Sequence, residues 1–350
     1  MNLLRYDDIQ AIGTDLDPIE DILNFISMLK SKGFTSNILR KVHNFTDDVE
    51  IECTAKLISL HVNNAIGLAQ QAFYGPPEVS FLPLYYSTLN LSKVHLLLLG
   101  KRTELEKNRF HGAKYTENEM EKDFLDEEIH IQNTGTIPLM YKTITDGTIE
   151  RGGFKIRLRE FYSAISSIGA EYSMITGKEM DLMCHAAEIV EDDENGHYIR
   201  IDIADPYYHS NPPRPEMLKA YSELNMIHDS SIARYETTRI KEDFEHAKQR
   251  LVGSVKRYLN SDCLERLNNG TIRWLSYTPI SDSHHIFSEE MCIMLAYFHL
   301  SNVVRYNPEH LYKLMDSKYW SVMLGLRKHG YLTFLKLMWG NYNKKSFDIR

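Results

Sequence analysis

A mainly helical protein with a minor antiparallel β-sheet is the fold class that this 350-residue sequence predicts, and three observations carry it. Apolar residues recur at helical spacing along the first third of the chain. That spacing gives way to short alternating runs between about residues 127 and 204, and returns in the last third. With 43% hydrophobic and 11% aromatic residues the chain has enough apolar surface for a large core. A division into a helical unit (1–125), a mixed helix and short-strand unit (126–215) and a second helical unit (216–350) fits these shifts, the alternative being one compact fold.

Pro18 to Lys30 places Ile19, Ile22, Leu23, Ile26 and Leu29 on one helical face, and Gly33 stops the run. Cys53 to Phe73 continues the pattern until Gly75-Pro76-Pro77 forces a turn. Leu82 to Leu99 returns as a helix whose stripe is Leu82, Tyr85, Tyr86, Leu89 and Leu97, with Gly100 where a C-terminal cap belongs. This helix should be central and buried. Ile129-His130-Ile131, Pro138 to Ile144 and Asp146 to Ile149 read as short strands, and Phe154 to Tyr172 as a helix. Cys184 to Val190 and His197 to Ile203 flank Asn195-Gly196 and read as a hairpin. Asn211-Pro212-Pro213-Arg214-Pro215 is a loop. Lys241 to Tyr258, Ser288 to Val304 and the stretch from Pro308 onward are helical, and no internal repeat emerges.

Composition excludes some functions. No run approaches the roughly 18 apolar residues that cross a bilayer, and the acidic start Tyr6-Asp7-Asp8 is unlike a secretory signal. The expectation is a soluble cytoplasmic protein with no membrane partner. A net charge of −8 argues against an open basic surface while leaving room for a local cationic groove. Cys53, Cys184, Cys263 and Cys292 are scattered with no C-x-x-C pair, so reduced thiols are expected. Asp282 with His284-His285, and Asp202, Asp205 and His209, contain metal-ligand types without a complete ligand set. No phosphate-cradling glycine loop or nucleophile elbow is present, and neither a cofactor nor a metal is expected.

Two segments carry side chains suited to chemistry. From Ser288 to His310, the stripe Met291, Met294, Leu295 and Phe298 continues to Asn302 and Arg305, which places polar groups on an inward face. A buried arginine needs an acceptor or a cleft. Arg305 and His310, separated by four residues, resemble the Arg-x4–6-His arrangement of the HEPN ribonucleases; the resemblance implies phosphodiester chemistry, for which an imidazole titrating near neutrality and a guanidinium gripping phosphate oxygens are physically apt. In the second segment Arg109-Phe110-His111-Gly112 follows the Tyr85-Tyr86 helix, and His111 either fixes a turn or lines a ligand cleft. Lys248, Arg250, Lys256 and Arg257 read as a solvated basic face that could contact phosphate. Trp320, Phe334 and Trp339 are candidate contacts for self-association.

The Tyr85-Tyr86 pair, the apolar run to Leu99, Gly100 and the trailing His111-Gly112 resemble the YaaC-like family and, more distantly, the helical HEPN domains. The first resemblance implies a mostly helical cytosolic bacterial protein with no assigned activity, and its Arg-Tyr-x-Pro pattern, matched by Arg305, Tyr306 and Pro308, implies a structural helix end. The second implies a HEPN-like helical bundle and a metal-independent endoribonuclease in phage defence or a toxin system, with paired domains forming one cleft. Arg305, His310 and Asn302 would then be catalytic, and Tyr85, Tyr86, Arg109 and His111 would bind. A non-catalytic protein- or nucleotide-binding module and a structural subunit of a larger complex are the alternatives. RNA, a protein partner or a second copy of the chain are the partners these readings imply.

Overall fold

Local sequence signals set the helices of the first third. In this computed structural model, which describes residues 9–12, 17–115, 123–145, 149–177, 182–192, 194–204, 225–228, 233–255, 263–266, 272–277 and 287–349, α1 spans Pro18–Ser27. The Asp17 side chain caps it, accepting from the Ile19 amide at 3.0 Å, with Pro18 pre-set at the first helical position. Ser31 caps α2 (Lys32–Lys41) and Asp47 caps α3 (Asp48–Tyr74), which ends at Gly75 as the proline pair requires. Next comes α4 (Phe81–Leu98), buried along almost its whole length. Gly100 adopts φ +73°, and the Lys101 amide donates to the Leu96 carbonyl at 2.9 Å while Gly100 donates to Leu97 at 3.1 Å. A left-handed residue is needed for that pair of bonds, and glycine adopts it without strain.

The helices α5 (Arg102–Lys107), α6 (Thr136–Thr145), α7 (Leu158–Tyr162), α8 (Gly169–Thr176) and α9 (Phe244–Val255) are shorter. After them come α10 (Glu289–Tyr306), α11 (Pro308–Met315), α12 (Trp320–Gly325) and α13 (Tyr331–Asn343), with a π turn at Leu326–Gly330 between the last two. One hydrophobic cluster runs from Ile19 to Tyr342. At its centre α4 lies between α3 and α10, with α13 closing over both α4 and α10. The central burial of the Tyr85 helix holds as expected.

Among the described residues, three sheets complete the fold. The strands β1 (Ile9–Ile12) and β11 (Ser346–Ile349) pair in parallel. An antiparallel sheet joins β2 (Ala113–Tyr115), β3 (Glu128–Ile131) and β4 (Phe154–Arg157) in that order. Six strands form the largest sheet, all antiparallel: β5 (Leu182–Val190), β6 (Tyr198–Ala204), β7 (Asn225–His228), β8 (Ala233–Glu236), β9 (Cys263–Arg266) and β10 (Ile272–Tyr277), in the order β7-β8-β6-β5-β10-β9. The hairpin of β5 and β6 matches expectation, with Val190 opposite Tyr198 and Gly196 at φ +95° in the turn.

Three elements differ from the sequence reading. Gly33 does not stop the first helical run, which ends at Lys30 before the Ser31 cap; it lies in the first turn of α2, where glycine is tolerated. Pro138 to Ile144 is not a strand but most of α6: Ile137, Met140, Tyr141 and Ile144 are buried at helical spacing. Proline is tolerated there because Pro138 falls in the first helical turn, where its missing N–H has no intrahelical partner. Phe154 to Tyr172 opens as β4 before turning helical, because Ile156 is needed opposite Ile129 in the sheet. The turn at Asp146-Gly147 and the proline-rich loop at 211–215 lie outside the described residues. No described helix is long and apolar enough to cross a membrane.

Candidate functional site

The polar residues of α4 are not scattered. Tyr86, Asn90 and Lys93 follow one another at intervals of four and three, so they share one face of the helix. Asn90 is fixed at both ends of its amide. Its Nδ2 donates to the Tyr86 carbonyl at 2.7 Å, and its Oδ1 lies 2.8 Å from Nδ1 of His61 on α3. Lys93 is half-buried and in no ion pair among the described residues, and burial lowers its pKa.

His111 reaches this face from a turn that leaves it little freedom. The Phe110 and His111 carbonyls accept the Thr136 and Ile137 amides at 2.9 Å, which pins the turn to the start of α6. Gly112 adopts φ +80°, and a Cβ there would lie 2.4 Å from Pro138 Cδ and 2.6 Å from the Thr134 carbonyl. Only glycine fits. Within this frame the Tyr85 hydroxyl is 2.7 Å from His111 Nδ1. Burial pushes the Tyr85 phenol far above its ordinary pKa, so the hydroxyl keeps its proton, and in the tautomer of His111 protonated on Nε2 it donates to Nδ1. Burial, then the positive charges of Lys93 and Arg305, lower the His111 pKa. His111 is therefore a neutral imidazole at neutral pH.

Arg305 comes from the last turn of α10. Its Nη2 donates to the Tyr86 hydroxyl at 2.5 Å and its Nη1 to the Tyr306 hydroxyl at 3.2 Å, with the guanidinium carbon 5.4 Å from the centre of each ring. The expectation that Arg305 is buried is corrected here: α10 is buried on all sides from Glu289 to Ser301, but its last turn emerges and Arg305 is exposed. Phe298, about two turns earlier, packs edge-on against Tyr85 and brings α10 to the His111 ring.

A second group forms around a buried carboxylate. Glu127, 4% exposed, accepts from the Tyr115 hydroxyl at 2.7 Å and from His299 Nε2 at 2.9 Å on Oε2, while His310 Nε2 lies 2.9 Å from Oε1. Burial alone would raise the Glu127 pKa, but the hydrogen bonds from His299 and His310 outweigh it and hold the group well below the usual carboxylate range. His310 is placed by Asn307, whose side chain caps α11 by accepting the His310 amide at 2.9 Å. Nε2 is the buried end of this half-buried imidazole and faces Glu127.

Four of the seven residues singled out from sequence thus converge: Tyr85, Tyr86, His111 and Arg305. His310 engages Glu127, whereas Arg305 engages Tyr86 and Tyr306. Asn302 turns its amide onto the Phe298 carbonyl of its own helix at 2.7 Å, and Arg109 is exposed with Nε on the Glu106 carbonyl at 3.0 Å. Phe334 and Trp339 are buried in the core and Trp320 is half-buried edge-on against Phe81, so these rings do not form a contact surface. Asp282, His284, His285, Asp205, His209 and the Asp202 side chain lie outside the described residues, among which no cluster suited to a metal occurs. Sequence reasoning missed Lys93, Asn90, His61, Glu127 and His299. The four-then-three spacing from Tyr86 to Lys93 was the available signal for the first two.

No curated protein and no protein of solved structure matches the chain. The family model described as YaaC-like protein matches residues 27–326, which include Tyr85, His111, Glu127, Arg305 and His310, and the chain belongs to the YaaC-like protein family.

Proposed function

We propose that the face formed by Tyr86, Lys93, His111 and Arg305 binds the phosphate of a nucleotide or of RNA. One observation carries the reading: a lysine, an arginine and an imidazole converge there, and none of them is in an ion pair among the described residues. Cations gathered without an acid repel one another, so the arrangement costs stability unless an anion completes it. Tyr86 and Tyr306 steady the guanidinium, and His111 offers Nε2–H as a further donor to phosphate oxygen. The test is fluorescence anisotropy of a labelled RNA oligonucleotide, with ATP as competitor. Arg305→Gln and Lys93→Gln should each weaken binding about tenfold and reduce its salt dependence. Unchanged binding in both variants, or no binding by the parent protein, refutes the reading.

A second reading, metal-independent RNA cleavage, is favoured by the contact between Glu127 and His310. A carboxylate on Nε2 orients the imidazole, as a general base requires. His310 would take the proton of a ribose 2′-hydroxyl, whose oxygen attacks phosphorus as the bond to the 5′-oxygen breaks. The products are a cyclic phosphate and a free 5′-hydroxyl. Arg305 would stabilise the charge on the phosphate oxygens, and a role in phage defence or a toxin system would act through this cleavage. His310→Ala should slow cleavage a hundredfold or more, with activity persisting in chelator and absent on DNA. A parent protein that binds RNA but never cuts it leaves the binding module standing alone.

A further inference from the structure

The π turn at Leu326–Gly330 lies far along the chain from the residues above and has its own cavity. Such turns are rare within helical segments and recur at functional sites. Here the extra residue is accommodated by Gly330, where a Cβ would come 2.7 Å from Leu326 Cδ1, and the Leu326 carbonyl receives the Tyr297 hydroxyl at 2.8 Å. The turn aims Arg327 at the end of α3. Its Nη2 donates to the Ala72 and Phe73 carbonyls at 3.0 and 3.3 Å, its Nε donates to Ser80 Oγ at 3.2 Å, and its guanidinium carbon lies 5.1 Å from the centre of the Phe73 ring. These bonds fix the side chain through Nε and Nη2, and Nη1 makes no hydrogen bond among the described residues. No carboxylate pairs with Arg327 among the described residues.

Arg327 and its neighbour Lys328 line a cavity of about 400 Å³ between α1, α3 and the π turn. Its lining combines apolar side chains, Leu23, Ile66 and Phe73 among them, with the amides Asn24 and Gln70 and two acids, Asp17 and Glu20. Asp17 spends only Oδ1 on the cap of α1, and neither acid is in an ion pair with Arg327 or Lys328. Positive and negative groups thus face one cavity without neutralising each other. A pre-organised, unspent guanidinium beside an apolar wall suits a carboxylate with a hydrophobic body, and the acids suit an ammonium.

We infer that this cavity binds a short zwitterionic peptide, its carboxylate on Arg327 and Lys328, its ammonium on Glu20 and Asp17, and its apolar side chains against Leu23, Ile66 and Phe73. The volume exceeds what a single amino acid fills and matches a dipeptide. The experiment is isothermal titration of the full chain with the dipeptide Leu-Leu, its C-terminal amide and its N-acetyl form. Leu-Leu should bind saturably, and each blocked form should bind about tenfold or more weakly, because each leaves the pair of charged side chains at one peptide end unpaired. Lys328→Gln and Glu20→Gln alter solvent-facing side chains and should keep the far-ultraviolet spectrum of the parent. Lys328→Gln should weaken Leu-Leu while reducing the penalty for the amide, and Glu20→Gln should do the same for the acetyl form. Equal binding of all three peptides, binding unmoved by either substitution, or no saturation at millimolar peptide overturns the assignment. Both variants should bind RNA as the parent does, because the cavity shares no residue with the cationic face.

Discussion

Replacing Glu127 with Gln tests how much of the fold hangs on one buried carboxylate. The side chain keeps its shape but loses its charge, so the bonds from Tyr115, His299 and His310 fall from about 1.5–3 kcal/mol each to about 0.5–1.5. Its amide nitrogen would also face an imidazole N–H in place of an acceptor. The variant should therefore lose on the order of 3 kcal/mol. Urea unfolding followed by tryptophan fluorescence measures it. The sign of the pH dependence follows from the direction of the shift: the folded pKa of Glu127 lies below its ordinary value of about 4.3. Its stabilisation is present above that pH and lost as pH falls below it, at up to about 1.4 kcal/mol per unit. The gap between parent and Glu127→Gln should narrow from pH 5 to pH 3. A gap that stays constant over that range, or a variant as stable as the parent, would refute the reasoning.

Lys93→Gln removes one of the two cations that lower the His111 pKa, so the His111 titration followed by NMR should move up toward the ordinary histidine value. Gly112→Ala forces a left-handed residue to carry a Cβ 2.4 Å from Pro138, and should cost about 3 kcal/mol or more by thermal denaturation. It should also uncouple His111 from Tyr85. Phe334→Ala opens a cavity in the fully buried face of α13 and should cost about 3–5 kcal/mol by the same measurement.

What could be read from the residues was whatever is decided locally. The stop at Gly75, the Gly100 cap and the hairpin turn at Gly196 each rest on a few neighbouring residues, and all were legible. The segment at Pro138 was misread because Ile137, Met140, Tyr141 and Ile144 fit helical spacing, while proline drew attention to an extended chain. Convergence of Tyr86, His111 and Arg305 joins residues more than 190 positions apart, and helix periodicity alone places none of them opposite another. Glu127 shows the limit most plainly. It sits in an acidic stretch, Asp126-Glu127-Glu128, that reads as solvated, and only the tertiary fold brings two imidazoles to it. Exposure of Arg305 depended on where α10 leaves the core, which its apolar stripe does not mark.

The parallel pairing of β1 with β11 has a consequence for the order in which the chain can fold. Ile9 bonds alongside Ser346, so the first strand has no partner of its own until the last one exists. At roughly 5–20 residues per second of synthesis the wait is on the order of twenty seconds to a minute. During that interval Ile9–Ile12 offers an open edge to other chains. Once formed, the pair closes the longest loop between any two paired strands among the described residues, so its formation carries a large chain-entropy cost that the packed helices between must already have met.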